Sequence, residues 1–305
     1  MLMNAYEKTI EREVVFSGIG LHSGKPASIR LLPAPQGTGI VFVRTDIASE
    51  MVIVRAAEVI STSYSTTIGR DDVRVQTIEH LLSAVSALSI DNLLIEVDGE
   101  ELPIADGSAA PFVALLLEAG ERPQSKEKQV MEIIEPFTLV DGEKFIRISP
   151  SESFEIDYTI VYKHPLIGIQ SYDYRHSRQA FIEEIAPART FGFLSEIKRL
   201  QESGYAQGGS LENAIVVGED KILNQEALRF EDEFVRHKIL DLIGDLALLG
   251  MEIRGRIEAS QSGHQLHTRL TEALKNNKKC SRIICVSSGQ EDFSSALESA
   301  FAAAC

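Results

Sequence analysis

Residues 228–250 read Leu-Arg-Phe-Glu-Asp-Glu-Phe-Val-Arg-His-Lys-Ile-Leu-Asp-Leu-Ile-Gly-Asp-Leu-Ala-Leu-Leu-Gly, and the fold turns on how this stretch packs. An acidic start (Glu231, Asp232, Glu233) and a glycine stop (Gly250) frame a single helix. At about 100° per residue, Val235, Ile239, Leu242, Ile243, Leu246 and Leu249 gather on one face, which predicts packing on a sheet. His237, Asp241 and Asp245 follow at i, i+4 and i+8 and form a second stripe roughly opposite. Phe234, Leu240, Gly244 and Leu248 lie on or beside that stripe, where a solvated face carries Lys and Glu. Such a helix is expected to lie between a core and a site.

An imidazole and a carboxylate one turn apart reach the same point in space, and both bind a borderline cation such as Zn²⁺. A helical His–Asp hydrogen bond explains the same spacing. The pair therefore needs a partner from elsewhere in the chain.

Length and composition narrow the classes. A chain of 305 residues exceeds what one hydrophobic core usually serves, so two domains are expected. A formal charge of −15 argues against nucleic acid as the main partner and against adhesion to anionic membranes. Local Lys and Arg can still bind a phosphorylated small molecule. No apolar leader opens the chain, and the best candidate span, residues 85–90, stops at Asp91, so no transmembrane segment is expected. Cys280, Cys285 and Cys305 are few, odd in number and without zinc-ribbon spacing, which suits reduced structural thiols and a cytoplasmic location.

In order, 14–16, 27–32 and 40–43 read as short strands between Gly- and Pro-rich turns. The Ser-Gly-Ile-Gly-Leu-His stretch at 17–22 lacks a full phosphate-loop pattern and reads as a hairpin turn. Thr77 is expected to cap or open a helix over 77–88, which puts Glu79 and His80 in its first turn. A strand over 92–97 and a helix opened by Asp106-Gly107-Ser108 complete a β-rich unit with two helices, and the charged stretch 120–128 reads as a linker. The second half repeats this order: strands at 131–139, 145–148, 154–162 and 169–172, an irregular 186–193, a short helix to Gln201, a strand at 214–217, the long helix, a strand at 253–259 and a helix over 263–274. Strands followed by two helices, twice over, predict an α+β protein of two similar sandwiches.

If the two halves pack face to face, His80 joins His237 and Asp241 in a His₂Asp set with one position open, the pattern of a catalytic zinc site. Glu79 then stands beside the metal as a general base for water. His264, at a helix start whose dipole disfavours its protonation, has Asp245 as the carboxylate that can reverse that effect. A non-catalytic binding module remains the competing class; three ligands with a neighbouring Glu favour an enzyme.

Several motifs occur together and in order: Thr-Ile-Glu-His-Leu-Leu-Ser-Ala (77–84), Asp-Asn-Leu-Leu-Ile-Glu-Val (91–97), Asp-Gly-Ser-Ala-Ala-Pro-Phe-Val (106–113), Ala-Arg-Thr-Phe-Gly-Phe (188–193), Gly-Gly-Ser-Leu-Glu-Asn-Ala-Ile-Val-Val (208–217), the long helix, and Ser-Gly-His (262–264). Across residues 9–270 the chain resembles the UDP-3-O-acyl-N-acetylglucosamine deacetylases, zinc amidases of lipid A biosynthesis. The resemblance implies two two-layer α+β sandwiches packed face to face with the active site between them. They would span residues 1–125, with an insert near 61–72, and 129–305, with an insert near 193–213. It implies zinc ligands His80, His237 and Asp241, a general base Glu79, a general acid His264 oriented by Asp245, and an oxyanion-binding hydroxyl at Thr190. Phe191 and Lys238 fall in the substrate pocket, and Tyr162 at the aromatic position for the uracil. Residues 61–68 and 193–208 match the inserts that line the acyl passage. The implied partner is the acylated UDP-amino sugar and the implied state a monomer; a zinc amidohydrolase for another acylated sugar or a peptide is the alternative. For 276–305 no motif is evident, and a solvated helix is expected.

Overall fold

The structure is a computed structural model that describes residues 5–47, 51–53, 58–70 and 72–286; Cys305 and most of the C-terminal stretch lie outside the described residues. The fold mixes α and β. Its helices are α1 (Glu79–Ala87), α2 (Ala110–Ala119), a short α3 (Arg178–Ala180) that runs on as a wide turn over Phe181–Ile185, α4 (Leu194–Glu202), α5 (Glu233–Leu246) and α6 (His264–Asn276).

One sheet orders its strands Val14–Ile19, Pro26–Pro33, Leu93–Asp98, Ile40–Arg44 and Met51–Ile53, with only the Leu93–Asp98/Ile40–Arg44 pair parallel. Helices α1 and α2 pack together, and α2 lies against Val14–Ile19. A seven-stranded sheet is built around Glu252–Ser260, which pairs in parallel with both Gln129–Ile133 and Phe154–Val161 and antiparallel with Lys144–Ser149. Helix α5 lies on Phe154–Val161 and Ile169–Arg175, and α6 on Phe137–Asp141 and Lys144–Ser149. A strand pair buried by helices on one face suits the alternating burial along Glu252–Ser260, where every second residue points into the core.

The two helical layers meet where α1 runs along α5. All six residues of the expected core stripe of α5 are buried, each side chain contributing about 1.5–3 kcal/mol relative to exposure. The opposite stripe is buried too, including His237, Asp241 and Asp245. Gly244 explains the closeness: a Cβ there would penetrate the carbonyl oxygen of Glu79, so only glycine lets α5 touch the first turn of α1.

Helix α5 starts at Glu233, five residues into the quoted stretch, and ends through a 3₁₀ turn at Gly250, whose φ of 72° is left-handed. Thr77 is no cap: its φ is 60°, and its hydroxyl donates to Glu101 Oε1 at 3.1 Å. Residues 131–139 divide into Gln129–Ile133 and Phe137–Asp141, broken beside Pro136. The stretch read as a linker is a strand, Glu121–Glu127, antiparallel to Tyr6–Ile10 and tied by Lys8–Glu121 (2.9 Å) and Lys126–Glu7 (2.7 Å) ion pairs. Ser281–Cys285 is not helical but pairs antiparallel with Gln129–Ile133, with Ile283 opposite Met131. No helix among the described residues is long and apolar enough to cross a membrane.

Candidate metal centre

The start of α5 is locked by Glu233, which is wholly buried. Its carboxylate accepts from Arg189 Nε (2.8 Å) and Nη2 (3.2 Å) and from the backbone N–H groups of Arg189 (3.0 Å) and Arg229 (2.7 Å). Breaking such a buried pair costs about 3–5 kcal/mol. The lock also places the Ala188 carbonyl, one residue before Arg189, to accept from His237 Nδ1–H at 3.1 Å. That bond fixes the tautomer and leaves Nε2 with its lone pair free. Burial, partly opposed by Asp241, pushes His237 down to about 3, so the ring is neutral, as a ligand must be.

One turn on, Asp241 Oδ1 lies 3.3 Å from His237 Nε2 and 3.7 Å from His80 Nε2. The His80 and His237 rings meet edge to face at 5.0 Å. Ligand atoms of these three buried residues lie within 4.8 Å of one another. The other oxygen, Asp241 Oδ2, binds the ammonium of Lys238 at 2.8 Å. Burial opposes ionisation of Asp241, yet the Lys238 ammonium on its Oδ2 holds it well below the usual carboxylate range. Two imidazole nitrogens and one carboxylate oxygen, converging in a buried pocket with a fixed tautomer, fit a zinc ion.

Glu79 is buried beside this cluster, with Oε2 accepting from Thr66 N–H at 3.1 Å. Burial raises its pKa to about 7 despite the nearby imidazoles. His264 Nε2 stands 4.0 Å from Glu79 Oε1 on the far side. Its Nδ1–H donates to Asp245 Oδ2 at 2.8 Å, and Asp245 Oδ1 accepts the Thr66 hydroxyl at 2.5 Å. Burial alone would lower His264; the Asp245 carboxylate overrides it and raises the value to about 9. A carboxyl group that ionises near neutral pH and a protonated imidazole thus face one another beside the His80, His237 and Asp241 cluster.

The remaining expected site residues lie close by, with different partners. The Phe191 ring sits 6.4 Å from that of His237 and 5.8 Å from that of Tyr162, which also meets Phe193 at 5.6 Å. Thr190 lies between Arg189 and Phe191, with its N–H on the Gly107 carbonyl at 2.8 Å. Lys238 turns its ammonium to Asp241 and stands 5.6 Å from the Phe191 ring centre. The two expected inserts meet at Tyr64 and Tyr205, whose rings are 4.9 Å apart. The first is larger than expected, a three-stranded sheet of Glu58–Ser61, Thr67–Arg70 and Val73–Gln76; the second is a strand–helix–strand unit of Phe191–Phe193, α4 and Ile215–Val217.

Two residues of the site escaped the sequence reading. Thr66 joins Glu79 to Asp245, and its partners lie as far as 198 residues away, so no local pattern marks it. His267 also donates to Asp245 Oδ2, at 2.8 Å. Its i+3 spacing from His264 was the available signal.

Residues 7–276 match the family model described as UDP-3-O-acyl N-acetylglycosamine deacetylase. The chain is 46% identical over 280 residues to the UDP-3-O-acyl-N-acetylglucosamine deacetylase of Syntrophotalea carbinolica, covering 92% of this chain and 91% of the relative. The proteins of the same name from Myxococcus xanthus (48%, 91% of this chain and 89% of the relative) and a Nitratiruptor species (49%, 88% and 90%) are similarly related.

Proposed function

Because the chain belongs to the UDP-3-O-acyl-N-acetylglucosamine deacetylase family, we propose that it hydrolyses the N-acetyl group of a UDP-3-O-(3-hydroxyacyl)-N-acetylglucosamine in lipid A biosynthesis, with Zn²⁺ bound by His80, His237 and Asp241. The observation that carries this reading is the convergence of those three side chains beside Glu79 and His264. The contact of α1 with α5 supports two sandwiches, residues 1–125 and 129–305, packed face to face around the site. The protein acts, in this reading, as a cytoplasmic monomer.

Bound zinc would supply Lewis-acid polarisation of the acetamide carbonyl and make water more acidic. Glu79 takes a proton from the attacking water, and the Thr190 hydroxyl faces the tetrahedral oxyanion. His264 Nε2–H protonates the departing nitrogen, because an amine leaves poorly unless protonated. Acetate and a free 2-amino sugar result. Lys238 and Phe191 border the sugar, and the aromatic group of Tyr162, Phe191 and Phe193 offers the uracil a stacking surface.

The acyl chain is bound away from the cleaved bond, between the inserts at 61–72 and 193–213. Remote binding energy then orients the reacting centre. Acetate release from acylated and unacylated UDP-N-acetylglucosamine tests this directly: kcat/KM should be far higher with the 3-O-acyl group. Equal values would remove the acyl passage and favour a general amidohydrolase.

The pH profile tests the acid. His264 is raised to about 9 by Asp245, and activity needing its protonated form falls as pH rises through that value. A cation in the adjacent cluster pulls the limb lower. Asp245→Asn removes the supporting anion, so His264 gives up its proton more readily, and the alkaline limb moves to lower pH with zinc retained. A limb that stays in place in the zinc-saturated variant would assign the protonation of His264 to another group.

A further inference from the structure

We propose that His267 is a positioning residue for the acid step: it fixes both the Asp245 carboxylate and the turn that carries His264, so that His264 Nε2 is aimed at the departing nitrogen. The proposal rests on the role of His264 given above.

His267 is wholly buried on α6, one turn after His264. Its Nδ1–H donates to Asp245 Oδ2 at 2.8 Å, the same oxygen and the same distance as for His264 Nδ1. With the Thr66 hydroxyl on Oδ1, the carboxylate is held by three donors. A carboxylate held by one imidazole can rotate about its Cβ–Cγ bond and follow that ring. Two imidazoles on one oxygen and a hydroxyl on the other leave it a single orientation.

The opposite edge of the His267 ring completes the device. Burial lowers the pKa of His267, although Asp245 opposes this, so the ring is neutral. Because Nδ1 carries the hydrogen, Nε2 must accept. The donor available to it is the Ser262 hydroxyl, whose Oγ lies 3.0 Å away; the Tyr158 hydroxyl oxygen packs 3.3 Å from the same nitrogen. Tyr158 in turn donates to the Ser262 carbonyl at 2.7 Å. Ser262 stands two residues before His264, in a turn where Gln261 has a φ of 50°, an unfavourable conformation that surrounding contacts must maintain. His267 therefore ties Asp245 on α5 to the turn from which His264 emerges. Its hydrogen bonds go to neither the expected zinc ligands nor Glu79.

Three substitutions separate positioning from packing. Asn places an amide nitrogen where Nδ1 stands, Gln reaches toward the Nε2 position, and Leu keeps bulk without a donor. His267→Leu and His267→Gln should lower kcat by roughly 10²-fold, the scale of a small misplacement of a reacting group. Both should leave KM and zinc content unchanged, and His267→Asn should restore most of kcat.

A readout independent of activity accompanies these rates. An imidazole N–H bonded to a buried carboxylate exchanges slowly and resonates downfield in the proton NMR spectrum. The intact protein should show two such signals, from His264 and His267. His267→Asn should keep that of His264, and the Gln and Leu variants should lose it. If the intact protein releases no acetate, the proposed function fails while the NMR comparison still decides the role of His267. Persistence of the His264 signal in His267→Gln, or an Asn variant as slow as Gln, overturns the proposal. If His267→Leu does not fold, the Asn and Gln pair suffices.

Discussion

Glu79→Gln is expected to keep its zinc and lose turnover by roughly 10²–10⁴-fold, the usual contribution of a positioned general base. The substitution is nearly isosteric, and the amide oxygen of Gln can still accept the Thr66 N–H that Glu79 Oε2 accepts at 3.1 Å. The α1–α5 contact at Gly244 involves the backbone of residue 79, so it survives the change. What disappears is the lone pair that takes the proton. Burial has raised Glu79 to about 7, which places its basicity near neutral pH, where a general base works best. Zinc content by elemental analysis and acetate release on the same sample make the check. Loss of metal would recast Glu79 as a ligand, and unchanged turnover would remove it from the chemistry.

How far this site was legible follows from the range of each interaction. Helix α5 was readable because His237, Asp241 and Asp245 share a stripe by helical spacing, and the apolar residues on both sides signalled that the stripe is buried. Glu79 and His80 were readable only as a pair at a helix start; what aims them is Thr77 at positive φ, held by Glu101, and a β-branched residue gives no sign of that conformation. The charged stretch 120–128 reads as a linker because its partners, Glu7 and Lys8, lie more than a hundred residues away. Lys238 is the most informative case. The resemblance puts it in the pocket, and its ammonium nevertheless binds the outer oxygen of Asp241, so in the proposed site one side chain would both steady a ligand and border the substrate space. Helical period reveals faces; it cannot reveal which distant chain segment closes over them.

His237→Ala should abolish zinc retention and, with it, deacetylation. The imidazole is held on one side by the Ala188 carbonyl and on the other presents Nε2 3.3 Å from Asp241 Oδ1. Removing it leaves His80 and Asp241, two ligands where a catalytic zinc site uses three from the protein. The carboxylate would not stay poised for metal, because Lys238 already binds its second oxygen at 2.8 Å and becomes its main partner. Mutation of an outer partner typically weakens metal affinity by roughly 10–100-fold, and loss of a direct ligand should exceed that range. The Arg189–Glu233 lock that seats the start of α5 is untouched, so the helix should remain folded while the metal is lost. The measurement pairs zinc content after dialysis with a thermal unfolding curve. A folded variant that keeps a full complement of zinc and acetate release near that of the unmodified protein would mean that the three side chains do not form the metal centre.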